Sequence, residues 1–169
     1  MSSATRPGAS VANGGETVAS APPQEWQLWF DGTSAPNPGR MGLGVVLVAP
    51  DGTRTSDGQA PGTSGCNNVA ELSALALGLT LARTAGACHL AVFSDSDFVV
   101  RHVSGTALTH VDPLARLVRD AQDQLAAFES VRFVWIPRHR NGDADRLARA
   151  ALGLKEKPAL RPISRRRRR

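Results

Sequence analysis

Apolar and polar residues alternate where the ordered part of the chain begins. Trp26, Leu28 and Phe30 interleave with Gln27 and Trp29 and run into Asp31, which predicts a half-buried strand whose last residue is an acid. Asp31-Gly32 then opens a loop, Ser34 to Arg40, rich in Pro, Gly and Asn. Gly42 to Ala49 is a Val-rich strand, Pro50-Asp51-Gly52 a turn, and Thr53 to Gln59 a more polar partner, together an antiparallel hairpin. Beyond a loop, Ala60 to Cys66, the period changes. Leu72, Leu75, Ala76 and Leu79 fall at helical spacing, with Asn67 or Asn68 as cap, Glu71 in the first turns and an end near Gly86. Cys88 to Phe93 predicts a strand stopped by Ser94-Asp95. A short helix (Ser96 to Val103), a loop through Thr109, and a longer helix (Asp112 to Phe128, Asp112 capping and Pro113 at its first position) follow. Val131 to Ile136 reads as a further strand, Pro137 to Gly142 as a polar loop and Asp143 to Leu152 as a last helix. Helix and strand alternate in this second half, so its strands are expected to run parallel to the first in an α/β domain.

The flanks differ in kind. Residues 1–24 are Ala, Ser, Gly, Pro and Thr with little to bury and are expected to be disordered. The domain is then 25–153, and 154–169 a basic, disordered tail. Charge sharpens that division: Lys155, Lys157, Arg161 and Arg165 to Arg169 against Glu156 leave the tail at +7, so the body carries −2 of the net +5. Cys66 and Cys88 sit in no CxxC or Cys/His pattern, which points to a reducing compartment. With no apolar leader or membrane-length run, the expectation is a cytoplasmic, nucleoid-associated protein with no membrane partner, acting as a monomer.

Against this background four acids stand out: Asp31 and Asp95 at strand ends, Glu71 and Asp145 on helices. In an open α/β sheet, ligands bind beyond the carboxyl ends of the strands, where Asp31 and Asp95 are expected side by side. Singly each has an ordinary explanation, since Asp-Gly is a common turn and first-turn helix acids are favoured by the dipole. Gathered together, like charges resist burial unless a cation compensates them. Carboxylates without paired His or Cys suit Mg²⁺ or Mn²⁺ better than Zn²⁺. Two such ions can activate water and stabilise the leaving oxygen of a phosphodiester, the chemistry of a nuclease.

The surrounding motifs carry a resemblance. Phe30-Asp31-Gly32-Thr33 with Asn37-Pro38-Gly39 and Gly42-x-Gly44, then Asn67-Asn68-Val69-Ala70-Glu71-Leu72, then Ser94-Asp95-Ser96, then Trp135-Ile136-Pro137-Arg138-His139-Arg140-Asn141 with Ala144-Asp145-Arg146-Leu147-Ala148, together resemble the type 1 ribonuclease H family over Trp26 to Leu152. The resemblance implies a ribonuclease H-like fold, a five-stranded mixed sheet in the order 3-2-1-4-5 with helices on both faces. It implies hydrolysis of the RNA strand of an RNA/DNA hybrid, leaving 3′-hydroxyl and 5′-phosphate ends. By motif match Asp31, Glu71, Asp95 and Asp145 would be catalytic and would hold two Mg²⁺ ions, with Mn²⁺ a possible substitute. His139 would assist proton transfer or product departure. Gly32, Thr33, Asn37, Asn67, Asn68 and Asn141 would contact substrate, the RNA being told from DNA by its 2′-hydroxyl.

The chain also departs from the family. Cys66 stands where many relatives carry a phosphate-binding Thr, and Asp97 replaces a polar amide. The segment Gly105 to Thr109 is too short for the basic, Trp-containing protrusion by which several bacterial relatives grip the hybrid. Phosphate neutralisation dominates nucleic-acid affinity, so Arg165 to Arg169 is the expected substitute, against the plain reading of a solvated tail. The competing functions are a non-catalytic hybrid-binding module on the same fold and a related fold acting on DNA.

Overall fold

The computed structural model describes residues 24–158. The expected disordered lead up to residue 23 and the Arg165 to Arg169 run lie outside the described residues.

The elements are β1 (Glu25–Ala35), β2 (Gly39–Val48), β3 (Arg54–Gln59), β4 (Ser64–Gly65), α1 (Asn67–Thr84), β5 (His89–Ser94), α2 (Asp97–Val103), α3 (Asp112–Leu125), β6 (Ser130–Trp135) and α4 (Gly142–Ala151), with one 3₁₀ turn at Arg138–Arg140 before α4. The sheet runs β3-β2-β1-β5-β6, and β4 pairs with the start of β2. It therefore has six strands rather than five, because Ser64–Gly65, inside the expected loop, bonds back to Gly39 and Arg40. The five longer strands keep the expected order. β1 is antiparallel to β2 and parallel to β5, which is parallel to β6.

Several boundaries move for physical reasons. β1 does not stop at Asp31. Its ladder with β2 continues to Ala35↔Arg40, whereas its ladder with β5 ends at Trp29↔Phe93. Asp31 thus sits mid-strand on a ribbon that overhangs its parallel neighbour. Neither Asn67 nor Asn68 caps α1; Cys66 holds that position without a side-chain bond, and the Asn67 amide is engaged elsewhere. Val111, not Asp112, precedes α3, with Asp112 in its first turn.

Which residues face which layer follows from the pleat. Leu28 and Phe30 point to one face with Val45 and Leu47 of β2, and all four are 0–1% exposed. On that face they meet Leu72, Leu75 and Leu79 of α1, behind which α3 packs. The other face of β1, β2 and β3 is covered by α4. Glycine lets both helices approach. A Cβ at Gly32 would lie 2.1 Å from the Ala70 carbonyl carbon, and one at Gly44, paired with Asp31, 2.1 Å from the Ala144 oxygen. Main chain therefore rests on main chain at both positions, which brings α1 and α4 to Asp31 from opposite sides.

After α4 the chain reverses. Gly153 takes a φ of +68°, its N–H donates to the Ala150 carbonyl and that of Leu154 to the Arg149 carbonyl, a Schellman ending. Residues 154–158, which the charge pattern assigned to a free tail, lie back against α4, with Arg149 Nε and Nη2 donating to the Lys155 carbonyl at 3.0 and 2.8 Å. Among the described residues no helix is long and apolar enough to cross a membrane.

Candidate active site

Asp31 is the centre. Burial raises its pKa first, then the charges of Asp95, Asp145 and Glu71, and against the pull of Lys157 its carboxyl is pushed up to about 8. The four acids expected from sequence are thus drawn into one electrostatic neighbourhood, from a strand overhang (Asp31), the first turns of α1 (Glu71), the end of β5 (Asp95) and the first turn of α4 (Asp145).

The other three acids each have a partner. The Ser96 hydroxyl donates to Glu71 Oε2 at 2.5 Å while the same oxygen accepts from Val99 N and caps α2. Burial raises the Glu71 pKa, opposed by that hydrogen bond and by Arg138, and Asp95 pushes it further up. Asp95 Oδ1 accepts from Asn141 Nδ2 at 2.6 Å, and Arg138 Nε lies 3.5 Å from its other oxygen. Asp145 Oδ1 accepts from the Lys157 ammonium. Among the described residues no three His, Cys, Asp or Glu side chains already converge on one ligand position. The donor set nonetheless fits a hard divalent cation. It is all carboxylate oxygen, its central member is burdened by uncompensated like charge, and positive side chains already lean on two of the others.

Asn141 is where expectation and structure part. Placed by motif among the substrate contacts, it is 2% exposed and faces the interior. Its Nδ2 donates to the Phe30 carbonyl at 2.9 Å as well as to Asp95, so it ties the β1 overhang to the end of β5. Its Oδ1 is buried and meets no donor among the described residues. A polar residue at the end of a polar loop gives no periodicity from which burial could be read.

Asn37 and Asn67 come together with Ser34. Asn67 Oδ1 accepts from Ser34 N at 2.9 Å, and Asn37 Oδ1 accepts from Asn67 N at 3.1 Å. This small network fastens the β1–β2 turn to the start of α1. Asn68 and Thr33 are half-buried close by in sequence, and Gly32 is sealed against Ala70. His139 is exposed on the 3₁₀ turn and borders a groove of about 560 Å³ that also touches Arg138, Asp145, Arg146 and Lys157. Ser96 and Arg138 fall inside the sequence motifs, but nothing local in the sequence gives them a task. Lys157 reads there only as a tail charge.

Known proteins resemble the chain in sequence and in fold. The reverse transcriptase-like family profile matches residues 29–151. A bifunctional protein of Mycobacterium tuberculosis is 38% identical over 123 residues, 72% of this chain and 34% of that protein, so the chain spans about a third of its length. The solved N-terminal RNase H domain of that mycobacterial protein has a TM-score of 0.71 at 38% identity, covering 77% of this chain and 94% of that one. Ribonuclease HI of Halobacterium salinarum is 34% identical over 124 residues, 73% of this chain and 62% of the archaeal protein. The crystal structure of RNase H1 from that archaeon has a TM-score of 0.73 at 32% identity, covering 76% and 98%. LC11-RNase H1, solved in complex with an RNA/DNA hybrid, has a TM-score of 0.67 at 26% identity, covering 76% and 96%.

Proposed function

The chain belongs to the type 1 ribonuclease H family, and on that premise we propose that it is an endoribonuclease hydrolysing the RNA strand of RNA/DNA hybrids, with 3′-hydroxyl and 5′-phosphate products. One observation carries the reading: a partly buried Asp31 whose carboxyl feels the charges of Asp95, Asp145 and Glu71 together. Asp31, Glu71, Asp95 and Asp145 would hold two divalent ions, Mg²⁺ or in its place Mn²⁺. The chemistry supplied by such a bound pair is activation of a water and stabilisation of the leaving oxygen in an in-line displacement.

The chain's own residues prepare that chemistry. Ser96 fixes the Glu71 carboxylate and Asn141 fixes Asp95, so neither acid must search for its position when substrate arrives. His139, exposed and bordering the groove, would assist proton transfer or product departure. Thr33, Asn37, Asn67 and Asn68 would read the ribose 2′-hydroxyl across a minor groove, a role from which Gly32, buried against Ala70, is excluded. Arg138 and Arg146 line the groove beside Asp145, where strand phosphates would pass. The solved complex of LC11-RNase H1 with a hybrid supports this substrate class. The Arg165 to Arg169 run would add backbone affinity, and a monomer working at the nucleoid in the cytoplasm suits both.

A cleavage assay tests the proposal. The purified chain with Mg²⁺ should cut hybrid in preference to double-stranded RNA and duplex DNA, and Asp95→Asn should abolish cutting. Activity that survives this substitution, or preference for duplex DNA, refutes it. Removal of residues 159–169 should weaken hybrid binding and reduce the slope of log K against log salt by about 0.9 for each phosphate no longer neutralised. An unchanged slope removes the Arg run from the binding surface.

A further inference from the structure

The segment after α4 is held in register with the helix it covers. Lys155 meets Arg149 and Lys157 meets Asp145, so two residues of the strap span the one helical turn, about 6 Å, between those partners. With the Lys155 carbonyl clamped in the Arg149 fork, Lys157 is therefore delivered to Asp145, one turn back along the helix. Glu156 between them lies 3.8 Å from Arg146. The Lys157 ammonium contacts Asp145 Oδ1, and its charge also reaches Asp31. It occupies the place where a cation is needed.

We propose that Lys157 is a positioning residue that acts as an internal stand-in cation: in the metal-free protein it holds Asp145, and a divalent ion must displace it to bind. The inference deepens the functional reading, since it rests on Asp145 being a metal ligand. An ammonium carries one charge and donates hydrogen bonds, so it can quiet the carboxylate repulsion but cannot coordinate water or a phosphate oxygen. Because the Lys157 ammonium and a divalent ion on the same carboxylate repel each other, the contact raises the metal concentration that the site requires.

Isothermal titration of Mg²⁺ and of Mn²⁺ into the full chain, wild type against Lys157→Ala and Lys157→Arg, decides the matter without any turnover. Lys157→Ala should bind metal roughly two- to fivefold more tightly, the range in which half-exposed ion pairs act. Lys157→Arg should behave as wild type. In chelator Lys157→Ala should melt below wild type, and saturating Mg²⁺ should erase that deficit. A strap with a structural role alone would leave the deficit in place and would not tighten binding. Equal or weaker binding by Lys157→Ala, with wild type binding normally, overturns the stand-in role. Wild type without saturable binding overturns the metal reading of the site itself, and the stand-in role with it.

Discussion

Replacing Asp31 by Asn should stabilise the metal-free protein while abolishing its activity, and the size of the effect follows from the site. The folded-state pKa of Asp31 is raised from 3.8 to about 8. Between those values the unfolded chain has lost the proton and the folded protein still binds it, so stability falls as pH rises through that window and is flat outside it. The slope is about 1.36 kcal/mol per pH unit. Over the roughly three units from 3.8 to pH 7, Asp31 then costs the fold about 4 kcal/mol. Asn has the same shape and no charge, but burying its amide retains about 1–2 kcal/mol of penalty. The net gain expected at pH 7 is about 2–3 kcal/mol, or a rise in Tm of roughly 4–12 °C for a chain of this size. Thermal melts of both proteins in chelator from pH 5 to pH 8 measure it. The gap should be widest near pH 8 and shrink towards pH 5, and saturating Mg²⁺ should close it by stabilising only the wild type. If Asp31→Asn melts at or below wild type in chelator at pH 7, or if the gap widens as pH falls, Asp31 is not the electrostatically burdened centre described above.

Other parts of the structure give separate tests. Gly44→Ala puts a methyl 2.1 Å from the Ala144 oxygen, so α4 must lift from β2; circular-dichroism melts should show a loss of about 1–3 kcal/mol, and hybrid cleavage should fall with it. Asn141→Ala removes the donor shared by Phe30 and Asp95; urea unfolding should show a loss of about 1–3 kcal/mol, and kcat should drop far more than KM changes, because the residue is buried away from substrate. Glu25 has a lowered pKa, held down first by its hydrogen bonds from Arg132, at 2.7 Å to each oxygen. Its contribution is therefore present above its unfolded value and lost as pH falls through the lowered folded value; Arg132→Ala should flatten the acid limb of the stability profile by less than about 1 kcal/mol, since the pair is solvent-screened.

How much of this was legible beforehand varies with the kind of signal. The hydrophobic period marks α1 and the buried strands, because burial on one face forces it: Leu72, Leu75 and Leu79 fit nothing but a helix; polar β3, with no buried face, is legible only from the Pro50-Asp51-Gly52 turn before it. Asp31 was found but its setting was misjudged. Pro36, Asn37, Pro38 and Gly39 read as a loop, yet the residues before them still pair with β2, and cross-strand pairing leaves no trace in a window that short. Ser64–Gly65 was hidden for the same reason. The places of the four acids at strand ends and on helices single them out, and the motifs around them give the set its order. What holds them was not legible, because Ser96, Asn141 and Lys157 act through long-range contacts that no local pattern encodes.

The position of α4 has a consequence for synthesis. It closes over β1, β2 and β3, the strands made first, and it carries the last of the four acids. While the chain is being translated, Val46, Val48 and the glycines of β2 stay uncovered until residues 142–151 have emerged. Until then a nascent chain carries a bare apolar sheet face and an incomplete acid cluster. Without Asp145 the proposed cleavage site is incomplete, and anything seated on that face must leave before α4 can dock.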